Sequence, residues 1–234
     1  MQAQITEPQR IFGWPDSSRG RDFELVDFIG RHGVVAIEHV MARLGVREAA
    51  AYRRVAACIE RGLLERIELL RREPSLIRAT RSGLRYAGLG LPVAVVSPGA
   101  VDHWLRCATT AELLTAEFGA ERVISERELR AAERLEGKAI ASAKLGELPS
   151  GHPRLHRPDL VVFAEQRVIA VEVELTPKAP RRLLSIIRAW RGAECVDAVR
   201  YYCASGPTVR GVERAVSKAY AEKKIQILEA VARR

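Results

Sequence analysis

Asp159, Glu172 and Glu174 are the residues of this sequence whose types and spacing can do chemistry. They border or interrupt two apolar runs, 160–163 and 168–175, that read as neighbouring strands. A carboxylate inside an apolar strand is costly unless it meets a cation or hydrogen-bond donors. Glu172 and Glu174 are two apart, so a strand puts them on one face and Val171 and Val173 on the other. A turn centred on Glu165-Gln166 pairs Phe163 with Val168 and Val161 with Ala170, and it sets Asp159 opposite Glu172. Like charges facing each other across a ladder destabilise it. Three carboxylates on one patch therefore call for a divalent cation, and hard oxygen ligands suit Mg²⁺ or Mn²⁺ rather than zinc.

The residues that follow are cationic. Thr176-Pro177 reads as an N-cap followed by proline at the first helical position, opening a helix over 177–191. Lys178, Arg181 and Arg182 then fill its first turns, where the helix dipole disfavours positive charge. Two readings stand: an anion such as phosphate binds there, or Lys178 and Arg181 neutralise Glu172 and Glu174. His156, just before Arg157-Pro158-Asp159, has two roles open to it, proton transfer or loop packing.

Placing these groups requires a scaffold. Residues 1–20 read as an N-terminal arm, and the pattern turns helical from Asp22. Apolar stripes ended by Gly33 and Gly45 predict two short helices, and a third over 47–61 has Tyr52, Val55, Ala56 and Ile59 facing inward. Residues 63–70 and 76–80 read as two strands joined by a turn carrying Arg71 and Arg72. Thr80 caps a short helix through Tyr86. Three helices followed by a β-hairpin is the layout of a winged helix-turn-helix over 21–92, whose third helix enters the DNA major groove while the wing touches backbone. Arg47, Arg53 and Arg54 face outward on the third helix, and Arg71, Arg72 and Arg78 lie on the wing, so these are candidate DNA-binding residues. A solvated face on a protein-interaction domain is the competing reading.

The Gly- and Pro-rich segment 88–99 marks a domain boundary. Beyond it, 98–234 reads as an α/β domain. A helix over 101–118 turns Trp104, Leu105, Leu113 and Leu114 inward. A strand at 122–125, a charged helix and a long polar loop over 137–157 precede the two apolar strands. A strand at 198–203, a helix over 209–222 and a final strand at 225–228 complete the chain.

The composition agrees with a globular protein: 234 residues, 47% hydrophobic and 29% charged, enough for a core and sized for two domains. The net charge is +9, carried by 32 Arg against 6 Lys. Arginine's planar fork of donors fits phosphate, so the excess points to a polyanion or else to compositional bias. No apolar run is long enough to cross a bilayer. No secretory pattern opens the sequence, and the four cysteines form no CxxC pair. There is no Walker or Rossmann fingerprint. The expectation is a reduced, cytoplasmic protein.

Pro158-Asp159, twelve further residues, then Glu172-x-Glu174 in an α-β-β-β-α-β order resembles the PD-(D/E)xK nuclease superfamily. The resemblance implies that Asp159 and Glu172 are metal ligands for Mg²⁺ or Mn²⁺. It also implies that Glu174 stands where the superfamily carries a water-activating lysine, a role Lys178 could fill from the helix start. Asp159, Glu172, Glu174 and Lys178 are thus the candidate catalytic residues. Arg181 and Arg182 join the DNA-binding set. Over residues 22–229 the layout, including Ser125-Glu126-Arg127-Glu128-Leu129-Arg130, is similar to the plasmid replication-relaxation family of bacterial mobile elements. The implied function is double-stranded DNA binding with Mg-dependent phosphodiester cleavage. The alternative is a non-catalytic, antitoxin-like regulator of transcription or replication whose nuclease-like fold serves DNA contact or homodimer formation.

Overall fold

The structure is a computed structural model that describes residues 20–68 and 75–230. It is mixed α/β and divides by contact density into two units, 20–113 and 114–230 among the described residues. The division falls inside a helix, C-terminal to the Gly/Pro-rich 88–99 segment.

The first unit contains α1 (Arg21–His32), β1 (Val34–Val35), α2 (Ile37–Leu44), α3 (Glu48–Glu60), β2 (Leu64–Ile67), β3 (Leu76–Ala79) and α4 (Arg81–Tyr86). The turns of α5 (Val101–Phe118) before residue 114 also belong to it. The three strands form an antiparallel sheet in the order β1-β3-β2. Acidic Asp22 and Glu24 open α1 and basic Arg31 and His32 close it, in keeping with the helix dipole. Gly33 ends it with φ 83°, and a Cβ there would stand 2.0 Å from the Trp104 ring. Glycine is required on both counts.

The apolar stripes read from the sequence converge as a core. Leu25, Val26, Ile29, Val35, Val40, Ala51, Val55 and Cys58 are fully buried. The predicted inward face of α3 needs one correction: Ala51, Val55 and Cys58 point in, and Tyr52 is exposed with Arg66 stacked over its ring at 5.8 Å. Leu113 of α5 is likewise exposed, while Leu105, Ala108 and Leu114 are buried. In α3, Ala51 takes the inward place beside Tyr52. The wing tip expected at Arg71 and Arg72 lies outside the described residues.

The second unit centres on a five-stranded mixed sheet in the order β10-β9-β8-β7-β4. Its strands are β4 (Val123–Ser125), β7 (Leu160–Ala164), β8 (Arg167–Glu174), β9 (Ala198–Cys203) and β10 (Ile225–Glu229). β4, β7 and β8 pair antiparallel, whereas β8, β9 and β10 run parallel. Parallel neighbours need crossover helices, and α7 (Pro180–Gly192) and α8 (Gly206–Ala219) supply them. α6 (Glu126–Glu136) starts with a reciprocal box: Ser125 Oγ accepts from Glu128 N and the Glu128 carboxylate accepts from Ser125 N.

The β7–β8 register is the one expected, with Phe163 opposite Val168 and Val161 opposite Ala170. Two other expectations are corrected. The polar stretch 137–157 is not a loop throughout: β5 (Ala143–Glu147) and β6 (Pro153–His156) form a bulged antiparallel hairpin beside α7. Its strands are mostly exposed, so they lack the apolar alternation that reveals a strand. The helix after β8 starts at Pro180 rather than Pro177. Ala179, held extended at φ −53°, ψ 130° before a proline, is the boundary that proline sterics demand.

Candidate functional site

Asp159, Glu172, Glu174 and Lys178 are brought to one end of the sheet, at the C-terminal end of β8. Asp159 immediately precedes β7, and its Oδ2 accepts a 2.7 Å hydrogen bond from Val173 N of the neighbouring strand. Its own carbonyl accepts from Glu126 N at the start of α6. Glu172 and Glu174 are buried, 3% and 5% exposed, and share a face of β8 as period-two geometry requires.

Protein donors compensate both buried acids. Glu172 Oε1 accepts from His156 Nε2 at 2.7 Å and from Trp190 Nε1 of α7 at 3.0 Å. The His156 and Trp190 rings meet edge-on with centroids 5.6 Å apart. Glu174 Oε2 pairs with the Lys178 ammonium, four residues on. Lys178 is therefore a partner of Glu174 and lies ahead of α7, not inside it. Glu172 Oε2 and Glu174 Oε1 accept no hydrogen bond from the described residues.

Burial pushes the Glu172 carboxyl above its usual range, with His156 opposing the shift and Asp159 adding to it. For His156, burial pulls the pKa down, but the charge and hydrogen bond of Glu172 outweigh it and the net direction is up. Tyr201 and Cys203 stand beside Glu172 and Glu174 on β9 in the parallel register. The Tyr201 hydroxyl is buried and has no hydrogen-bond partner among the described residues. Burial, and then the three carboxylates, hold its phenol well above the ordinary value. The Cys203 thiol is pushed up to about 12 by burial and next by Glu174.

Asp159, Glu172 and Glu174 do not place one oxygen each within 4.8 Å of one another, so they are not a preformed three-ligand metal cluster. The donor chemistry nevertheless fits a hard cation. Three carboxylates face one ammonium and one imidazole, Glu172 retains an unbonded oxygen, and an orphaned phenol oxygen lies beside them.

Trp190 and Tyr201 are the members of this site that sequence reasoning did not assign. Trp190 reads as a core aromatic, and it is one, fully buried, but its indole N–H also reaches Glu172. A buried Trp N–H needs an acceptor, which is the signal that could have found it. Arg157, adjacent to the Pro-Asp pair, is engaged elsewhere, donating to Glu133 at 2.8 Å.

The candidate DNA-binding residues fall into three groups. Arg47 and Arg53 are exposed on α3 and its start, and Arg181 and Arg182 are exposed in the first turn of α7. Arg54 and Arg78 are already partnered: Arg54 with Asp22 at 2.7 Å, and Arg78 with Glu65 and the Ala94 carbonyl at 2.9 and 2.8 Å. Arg71 and Arg72 lie outside the described residues.

The chain matches no protein-family model and no curated protein. No helix among the described residues is long and apolar enough to cross a membrane.

Proposed function

We propose that this chain binds double-stranded DNA through a winged helix-turn-helix over 21–92 and hydrolyses phosphodiesters at a PD-(D/E)xK-like site in 98–234. The α-β-α-α-β-β order of the first unit, with its three-stranded sheet, supports the first half. The observation that carries the second half is the return of the Lys178 ammonium to Glu174, beside Asp159 and Glu172. A cation thereby stands over the strand position at which glutamate has replaced the expected lysine.

In this reading Asp159 and Glu172 hold Mg²⁺ or Mn²⁺. A bound divalent cation supplies Lewis acidity toward the phosphodiester and toward water. Lys178 offsets the charge that develops on the phosphate. Glu174 orients the attacking water and accepts its proton. Trp190 and His156 fix the Glu172 carboxylate in one rotamer, the positioning a ligand needs from its supporting residues.

The second reading, a DNA-binding regulator that does not cut, is favoured by a specific observation: Glu172 is only 3% exposed and already accepts two hydrogen bonds. The two readings separate in one experiment. The purified chain is incubated with supercoiled plasmid and Mg²⁺ or Mn²⁺, and duplex affinity is measured in parallel. Nicking that disappears in Glu172→Gln while duplex binding persists supports the nuclease. Tight binding without cutting under either metal establishes the regulator. Absence of duplex binding at low salt removes both.

A further inference from the structure

We propose that the outer face shared by α7 and α8 is a track for the phosphate backbone of duplex DNA, separate from the winged helix; the proposal rests on the DNA-binding reading. The two helices cover the sheet face that carries Glu172 and pack against each other. They lie side by side in parallel: Leu183 faces Gly211, and Arg191 donates to the Ala219 carbonyl at 2.7 Å. Their inner residues, including Leu183, Ile187, Val212 and Val216, are buried. Outside stand Arg181, Arg182 and Arg188 of α7 and Arg210, Arg214 and Lys218 of α8, all exposed.

The charge on this face is lopsided. With Arg191, the two helices carry seven basic residues against one acidic residue, Glu213, a net +6 within a chain whose total is +9. Among the described residues, none of the six outer cations has an ion pair. Elsewhere several arginines are matched to carboxylates, Arg43 to Glu24, Arg54 and Arg61 to Asp22, Arg78 to Glu65, Arg157 to Glu133 and Arg200 to Glu117, while Arg47, Arg53, Arg81 and Arg85 are exposed without an ion pair among the described residues. What sets α7 and α8 apart is that six cations without ion pairs among the described residues gather on one outer face with a single carboxylate, Glu213, beside them.

The spacing is regular as well. Arg210, Arg214 and Lys218 are four apart and form one ridge, with successive side chains about 6 Å apart along the axis. Like charges at this spacing weaken a helix, and no carboxylate in these helices offsets them through an ion pair. A row of phosphates does offset them, and arginine's fork suits phosphate oxygens. An anionic membrane suits this face less well. A helix that lies on a bilayer inserts apolar side chains, but those of α7 and α8 are buried or half-buried, and the exposed positions between the cations are Ser185, Glu213 and Ser217.

The test uses the full chain and a nonspecific 20-base-pair duplex, with affinity measured across a salt series. The triple variant Arg210→Gln, Arg214→Gln, Lys218→Gln should lower the slope of log affinity against log salt by about 2.7, and affinity at 0.1 M salt by roughly two to three orders of magnitude. Arg214→Glu alone separates binding from folding. Its carboxylate gains Arg210 and Lys218 as i±4 partners, so thermal stability should hold or rise while DNA affinity falls. An unchanged salt slope in the triple variant overturns the proposal, as does weaker binding to phosphatidylserine vesicles with unchanged binding to DNA. Failure of the wild type to bind the duplex overturns the DNA reading itself. If wild type binds, and Arg47→Gln with Arg53→Gln weakens binding while the triple variant does not, this proposal alone fails.

Discussion

The three-helix core of the first unit and the α7–α8 face of the second dispose of their charges in opposite ways. In the first, the arginines nearest the three-helix core are tied to the unit's own acids, with Arg54 and Arg61 both on Asp22 and Arg78 on Glu65. In the second, the acids are withdrawn from solvent at the end of β8, and the arginines of α7 and α8 stand outside without ion pairs among the described residues. A net charge of +9 thus says little about where a polyanion binds, because an arginine already held by a carboxylate has lost much of its pull on a phosphate. The contrast favours α7–α8, Arg47 and Arg53 as DNA contacts over Arg54 and Arg78.

The largest expected effect tests the buried acids. Glu172→Gln should lower metal-dependent nicking by about a hundredfold or more and leave duplex affinity within about twofold; equal rates for wild type and variant would remove Glu172 from the chemistry. Next comes its support. Trp190→Phe removes the second ring of a fully buried indole together with one donor to Glu172, and urea unfolding should show a loss of about 1–3 kcal/mol. An unchanged midpoint would mean that neither the indole's hydrogen bond to Glu172 nor its added packing contributes.

Tyr201→Phe should act in the other direction, because it removes a buried hydroxyl that has no partner among the described residues. Without added metal the variant should be neutral or more stable by up to about 1 kcal/mol. A clear destabilisation would show that the hydroxyl has a partner in solution. The smallest effect belongs to the first unit. Asp22→Asn breaks two half-exposed ion pairs and should cost about 1 kcal/mol or less. If it also raises DNA affinity by freeing Arg54 and Arg61, the contrast between the units is sharpened. If Arg54→Gln weakens DNA binding as much as Arg53→Gln, the contrast is broken.

Much of this architecture could be read along the chain. The stops at Gly33 and Gly45, the cap at Thr80, the strands at 160–163 and 198–203 and the register that opposes Phe163 to Val168 follow from local periodicity and turn chemistry. The β5–β6 hairpin was not legible because its mostly exposed strands carry no apolar alternation. The start of α7 was misjudged because two prolines, Pro177 and Pro180, both offer a first helical position, and only the extended Ala179 decides between them.

For the candidate site, sequence alone determined that Glu172 and Glu174 share a face and that Asp159 lies near them, since a strand's period and a hairpin's register are local properties. Only the tertiary structure decided what those carboxylates meet. Trp190 reaches Glu172 from a helix that must first cross back over the sheet, Tyr201 comes alongside through a parallel pairing, and Asp22 finds Arg54 and Arg61 across the helical core. The physical reason is range: backbone geometry repeats every two or 3.6 residues and can be read in a short window, whereas the partner of a buried charge is chosen by packing between segments far apart in the chain.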